Sequence, residues 1–92
     1  MARAVVKLPR LLEPAVGSTR RVEVRGATVA EAVADLLRQH PTLRVHLFDE
    51  QSQLRPHVLC FRNGTLDRDP TGRTAPLSEG DEIVFLQAVS GG

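Results

Sequence analysis

Polar and apolar residues alternate strictly over Arg21-Val22-Glu23-Val24-Arg25, whereas Val29, Ala32, Val33, Leu36 and Leu37 recur at helical spacing. Alternation sends successive side chains to opposite faces of a strand, so Val22 and Val24 turn inward and the flanking charges outward. The i, i+3, i+4, i+7, i+8 spacing draws one apolar stripe along a helix, with Glu31, Asp35 and Arg38 off it. Thr28 followed three residues later by Glu31 is a capping box, in which the hydroxyl and the carboxylate each accept from a backbone N–H of the first turn. Pro41 stops the helix near Gln39 or His40. A helix with a single apolar stripe needs a sheet to cover.

The remaining pattern supplies that sheet. Ala4-Val5-Val6-Lys7-Leu8 is short and β-branched, with Ala4, Val6 and Leu8 on one face and Pro9 closing it. Leu11 to Ser18, with Pro14 and Gly17, reads as a turn region, and two strands joined by so short a loop pair antiparallel. Residues 42–57 look irregular, with Leu43, Val45, Leu47 and Phe48 folding back over the end of the core. Val58-Leu59-Cys60-Phe61-Arg62 reads as a strand, Asn63-Gly64 as a hairpin turn and Thr65 to Asp67 as the return. Asp69-Pro70-Thr71-Gly72 breaks that strand, Ser78-Glu79-Gly80-Asp81 is a turn, and Glu82 to Gln87 is the last strand. The order β-β-α-β-β-β implies an α+β, two-layer domain, one helix across one mixed sheet. If the first and last strands pair at the centre they run parallel, which the long crossover permits.

Composition narrows the partners. The chain has 92 residues, 41% of them apolar and 25% charged, with 12 basic and 11 acidic side chains and a net charge of +1. One small globular domain fits these values. The near-zero charge and the three Phe, with no Trp or Tyr, give no footprint for nucleic acid or an anionic membrane. No run is long enough to span a bilayer and no secretory signal is legible, so the expectation is a cytoplasmic protein, monomeric when free. A single cysteine agrees with a reducing compartment. Lys7 is the sole lysine among those basic residues.

Candidate chemistry is sparse. Cys60 has no lysine or histidine at adjacent strand spacing to activate it, so it reads as a packed or docking thiol. His40, His46 and His57 lack metal-ligand spacing. Asp67, Asp69, Glu79, Asp81 and Glu82 read as turn chemistry and solvated surface, and no nucleophile triad, phosphate loop or dinucleotide fingerprint occurs. With Leu59, Phe61, Ile83 and Phe85 taken as inward, Val58, Cys60, Val84 and Leu86 form an outer apolar patch, a candidate docking surface. After the last strand come Ala88, Val89, Ser90, Gly91 and Gly92. Residues 1–87 are expected to be the domain and 88–92 a flexible tail. Five extended residues reach roughly 17 Å, and glycine threads a narrow channel because it has no Cβ.

Leu8-Pro9-Arg10-Leu11-Leu12, the Thr28 helix, Arg55-Pro56-His57 leading into the strand that ends at Asn63-Gly64, Glu79-Gly80-Asp81-Glu82 and Gly91-Gly92 follow one another in an order that resembles the ubiquitin-like sulfur carriers of the MoaD/ThiS family. The opening Leu-Pro-x-Leu-Leu and Leu86-Gln87-Ala88-Val89-Ser90 are most similar to the CysO-type, cysteine-biosynthetic carriers. The resemblance implies a β-grasp fold and a carrier with no activity or bound cofactor of its own. It implies that an E1-like activating enzyme uses ATP to adenylate the Gly92 carboxylate. Sulfur then replaces AMP, and the thiocarboxylate serves a sulfur-accepting synthase making cysteine or other metabolites, thio-sugar natural products included. Gly91, Ser90 and Val89 would thread the tail. The small subunit of molybdopterin synthase and a ubiquitin-like protein modifier are the alternatives.

Overall fold

The computed structural model describes residues 1–88. The first strand, β1 (Ala2–Lys7), is followed by a 3-10 turn at Arg10–Leu12 and a single-turn helix, α1 (Glu13–Val16), before β2 (Arg21–Gly26) returns antiparallel to β1. Helix α2 (Val29–Gln39) and the short α3 (Leu43–Leu47) precede the hairpin of β3 (Val58–Arg62) and β4 (Thr65–Leu66). The chain then crosses back as β5 (Asp81–Gln87). Strand order is β2-β1-β5-β3-β4, with β1 and β5 parallel at the centre. This is the ubiquitin-like β-grasp arrangement. Among the described residues no helix is long and apolar enough to cross a membrane.

Helix α2 forms where its stripe and cap place it. The Thr28 hydroxyl accepts from Glu31 N–H at 3.2 Å, and the Glu31 carboxylate accepts from Ala27 N–H, one residue before the cap. Val29, Ala32, Val33, Leu36 and Leu37 are all buried against Ala4, Val6, Val22, Val24, Ile83 and Phe85 of the sheet. On the helix's outer side Asp35 accepts from Arg25 N–H, and Gln39 donates to the Glu23 carbonyl. The edge of β2 is therefore partly closed by side chains of its own helix, which blunts it as a template for strand addition.

Several details depart from the sequence reading. The stretch 11–18 is ordered by the 3-10 turn and α1, and 42–57 contains α3. Leu43, Leu47 and Phe48 close the core as expected, the Phe48 ring standing edge-on to Phe85 at 6.1 Å, but Val45 is 62% exposed. Asp67 and Asp81 are buried rather than solvated. Asp67 accepts from Arg73 at 2.8 Å and from Asp69 N–H, while Asp81 accepts from Asn63 Nδ2 and Ser78 N–H. Burial pushes the Asp67 carboxyl up, yet these bonds outweigh it and leave the group below its ordinary range. At the hairpin Asn63 (φ 49°) and Gly64 (φ 83°) both take positive φ, as a two-residue turn matched to strand twist requires.

Candidate docking face at the tail exit

Face assignment along β3 is the main correction. Its register with β5 pairs Cys60 with Phe85 and Val58 with Gln87, while Leu59 faces Leu86 and Phe61 faces Val84. Directly paired residues share a face, and Phe85 is fully buried, so Val58 and Cys60 point into the core at 4% and 1% exposure. They cannot belong to an exposed patch. Burial, followed by the nearby Asp67 carboxylate, pushes the Cys60 thiol up to about 12, the opposite of what a reactive thiol needs.

Val84 and Leu86 do lie on the outer face, and their companions there are Phe61, Leu59 and, paired with Phe61, Leu66. Leu59, Leu66 and Leu86 are each well exposed, whereas Phe61 and Val84 are half-buried. The 42–57 segment sends Leu43, Leu47 and Phe48 into the core, while its end, Leu54 to Pro56, borders a groove shared with Leu59 and Leu66. Sequence reasoning missed Leu59, Phe61 and Leu66. No local signal could have found them: only the β3–β5 register, which sets Cys60 opposite the inward Phe85, separates the two faces.

The patch leads to the chain's exit. β5 ends at Gln87, and Ala88 N–H still donates to the His57 carbonyl at 2.7 Å, extending the β3–β5 ladder by one residue. Leu11, 77% exposed, sits in the turn after β1 at this same end, because β1 runs parallel to β5. Val89, Ser90, Gly91 and Gly92, the expected tail-threading and reacting residues, lie outside the described residues. Among the described residues no three His, Cys, Asp or Glu side chains converge as a metal site would require. The described part offers an apolar face beside a strand end, an arrangement suited to recognition.

Comparison with known proteins places this geometry. The family model described as the ThiS family matches residues 6–92. The chain is 35% identical over 83 residues to small archaeal modifier protein 1 of Haloferax volcanii, covering 89% of this chain and 91% of that protein. The crystal structure of that modifier superposes with a TM-score of 0.80 at 31% identity, over 99% of this chain and 100% of the other. The sulfur carrier protein CysO of Mycobacterium tuberculosis is 28% identical over 89 residues, 95% of this chain and 96% of that one. The crystal structure of the Amycolatopsis orientalis BexX/CysO complex matches with a TM-score of 0.79 at 30% identity, over 97% of this chain and 99% of its counterpart. By sequence from residue 6 to residue 92, and by the β-grasp sheet that carries it, this chain belongs to the ThiS/MoaD family of ubiquitin-like sulfur carriers.

Proposed function

We propose that the chain carries sulfur as a thiocarboxylate at Gly92 and delivers it to a biosynthetic acceptor, the outer face holding the chain on its partner enzymes. The observation that carries this reading is the family match, which runs through Gly91 and Gly92. The sulfur-carrier name of the CysO relative and the solved BexX/CysO complex support it, the latter as an instance of such a carrier held by another protein.

The chemistry explains why a carrier needs so little of its own. A carboxylate repels nucleophiles and has no good leaving group. An activating enzyme would join the Gly92 carboxylate to AMP from ATP, releasing pyrophosphate. A sulfur nucleophile would then attack the acyl carbon, the bond to AMP would break, and a thiocarboxylate would remain, ionised at neutral pH and nucleophilic through sulfur. The partner supplies the charge stabilisation and proton transfer of both steps. Gly91 would serve by having no Cβ in the partner's channel. The acceptor would be a synthase making cysteine or another sulfur-containing metabolite.

A second reading shares the first step. The 35% identity to a small archaeal modifier favours transfer of the same adenylate to a protein lysine, forming an amide. The test that addresses the shared step is ATP–pyrophosphate exchange by the activating enzyme encoded in the same genome. Exchange should depend on this chain and vanish when Gly92 is removed. Exchange that persists without Gly92 rejects the assignment of the reacting carboxylate.

A further inference from the structure

We infer that a cationic groove beside the apolar face, formed by Lys7, Arg20 and Arg21 next to Val84 and Leu86, receives a carboxylate-bearing extended segment of the protein partner. The inference rests on the reading of the chain as a docked carrier, and it names the chemistry of what docks.

The groove, about 300 Å³, runs between the β1–β2 connection and β5 on the outer face, and its walls contain those three cations and no carboxylate. Cross-strand register explains the arrangement. Lys7 lies directly opposite Arg21 on β2 and beside Val84 on β5, so two like charges face one another next to the apolar patch. Directly opposed like charges destabilise a sheet. The same conflict arises once more between these strands, where Arg3 faces Arg25, and there the chain resolves it internally. Glu79 forms a 2.8 Å ion pair with Arg3, and the charge of Arg25 also helps hold the Glu79 carboxyl below its ordinary range, after the hydrogen bonds from Arg3. At the groove Glu82 compensates Lys7 in the same way, at 2.7 Å, which leaves Arg20 and Arg21 as the cations that form no ion pair among the described residues.

A second observation concerns Arg20 itself. Its φ is 54°, the left-handed region that glycine and asparagine enter far more readily than arginine. Two backbone bonds hold it there, Arg20 N–H to the Gly17 carbonyl and Leu8 N–H to the Arg20 carbonyl. Folding alone would be served as well or better by glycine at this turn. An arginine kept in an unfavourable conformation, beside a second arginine that forms no ion pair and an apolar strip, makes sense as half of an interface. The missing half carries negative charge to sit between Arg20 and Arg21, and apolar side chains at alternate positions to reach Val84 and Leu86.

The test uses two variants that keep the fold. Arg20→Gly relieves the backbone, and Arg21→Thr retains strand preference, so the double variant should unfold at the same denaturant concentration or higher. The probe is a blocked peptide alternating glutamate and leucine, titrated into isotope-labelled protein and followed by amide chemical shifts. Shifts should cluster at residues 7, 19–21 and 84–86. The double variant, or a peptide with glutamine in place of glutamate, should weaken binding roughly tenfold. Raising NaCl from about 0.02 to about 0.3 M should narrow that difference as screening shortens. Absence of saturable binding, shifts elsewhere, or equal affinity for the glutamine peptide overturns the proposal. In the exchange assay the double variant should raise the KM for the chain with little change in kcat. Loss of exchange by the unmodified chain would instead count against the carrier reading and leave the peptide result to stand by itself.

Discussion

Replacing Cys60 with serine should lower stability without removing sulfur transfer, because this side chain lies in the core. At 1% exposure, with Phe85 opposite it, the thiol behaves as a small apolar group. A serine hydroxyl there loses water without a partner, a cost of about 1–3 kcal/mol. For a domain of this size that corresponds to a drop in Tm of roughly 4–24 °C. Alkaline pH supplies a second, independent measure. The folded thiol is pushed from 9.0 up to about 12, so the folded state keeps a proton that the unfolded chain releases. That contribution is complete below the unfolded value and is lost as pH rises towards the folded one, about 2 kcal/mol of it by about pH 10.5. Cys60→Ala, which cannot titrate, should begin about 1 kcal/mol less stable at neutral pH and match or exceed the wild type at the alkaline end. Urea titrations followed by far-UV circular dichroism suit a chain without Trp or Tyr. Equal urea midpoints for Cys60→Ser and wild type, with sulfur transfer abolished in the variant, would refute the core placement and make the thiol part of the chemistry.

Leu86→Asp should leave the urea midpoint nearly unchanged, since Leu86 is 45% exposed, but weaken binding to the activating enzyme at least about tenfold, the unpaired charge adding to the lost apolar contact; titration calorimetry measures it. Gly26→Ala should destabilise by about 1–3 kcal/mol, because a Cβ there would stand 2.7 Å from Ala32 N and 2.8 Å from Glu31 Cβ, where helix and strand backbones meet; thermal melts read this directly. Asp67 has a lowered folded pKa, so its contribution is present above the ordinary carboxyl range and is lost as pH falls through the folded value; Asp67→Asn should be less stable at pH 7 by about 1–3 kcal/mol and show a shallower acid limb below about pH 4.

Much of the architecture is legible because its determinants are local. The Thr28–Glu31 cap, the α2 stripe, the alternation about Val22 and Val24 and the Asn63-Gly64 turn each lie within a dozen residues and each agree with the global sheet. The parity of β3 is different. Val58, Leu59, Cys60 and Phe61 are all apolar, so no alternation tells which two face the helix, and only the register with β5 decides. Arg62 gives a misleading cue. It pairs with Ile83 on the inner face but lies at the strand's end, where its charge acts on Asp67. Helices α1 and α3 are too short to display a period. The cationic groove depends on β1, β2 and β5 lying side by side, which no single stretch records. For Gly91 and Gly92 the order is reversed, since their meaning rests on the sequence and the family match.

The central claim is that Gly92 is the site where sulfur is carried, and intact-mass measurement tests it most directly. The purified chain is incubated with its activating enzyme, ATP and sulfide, beside a sample lacking Gly92. The account predicts that the full chain gains the mass difference between sulfur and oxygen, that the gain maps to the C-terminal peptide, and that the shortened chain remains unchanged. A sulfur adduct located on Cys60, or a full chain that forms neither adenylate nor thiocarboxylate with an activating enzyme shown to be competent on another carrier, would contradict it.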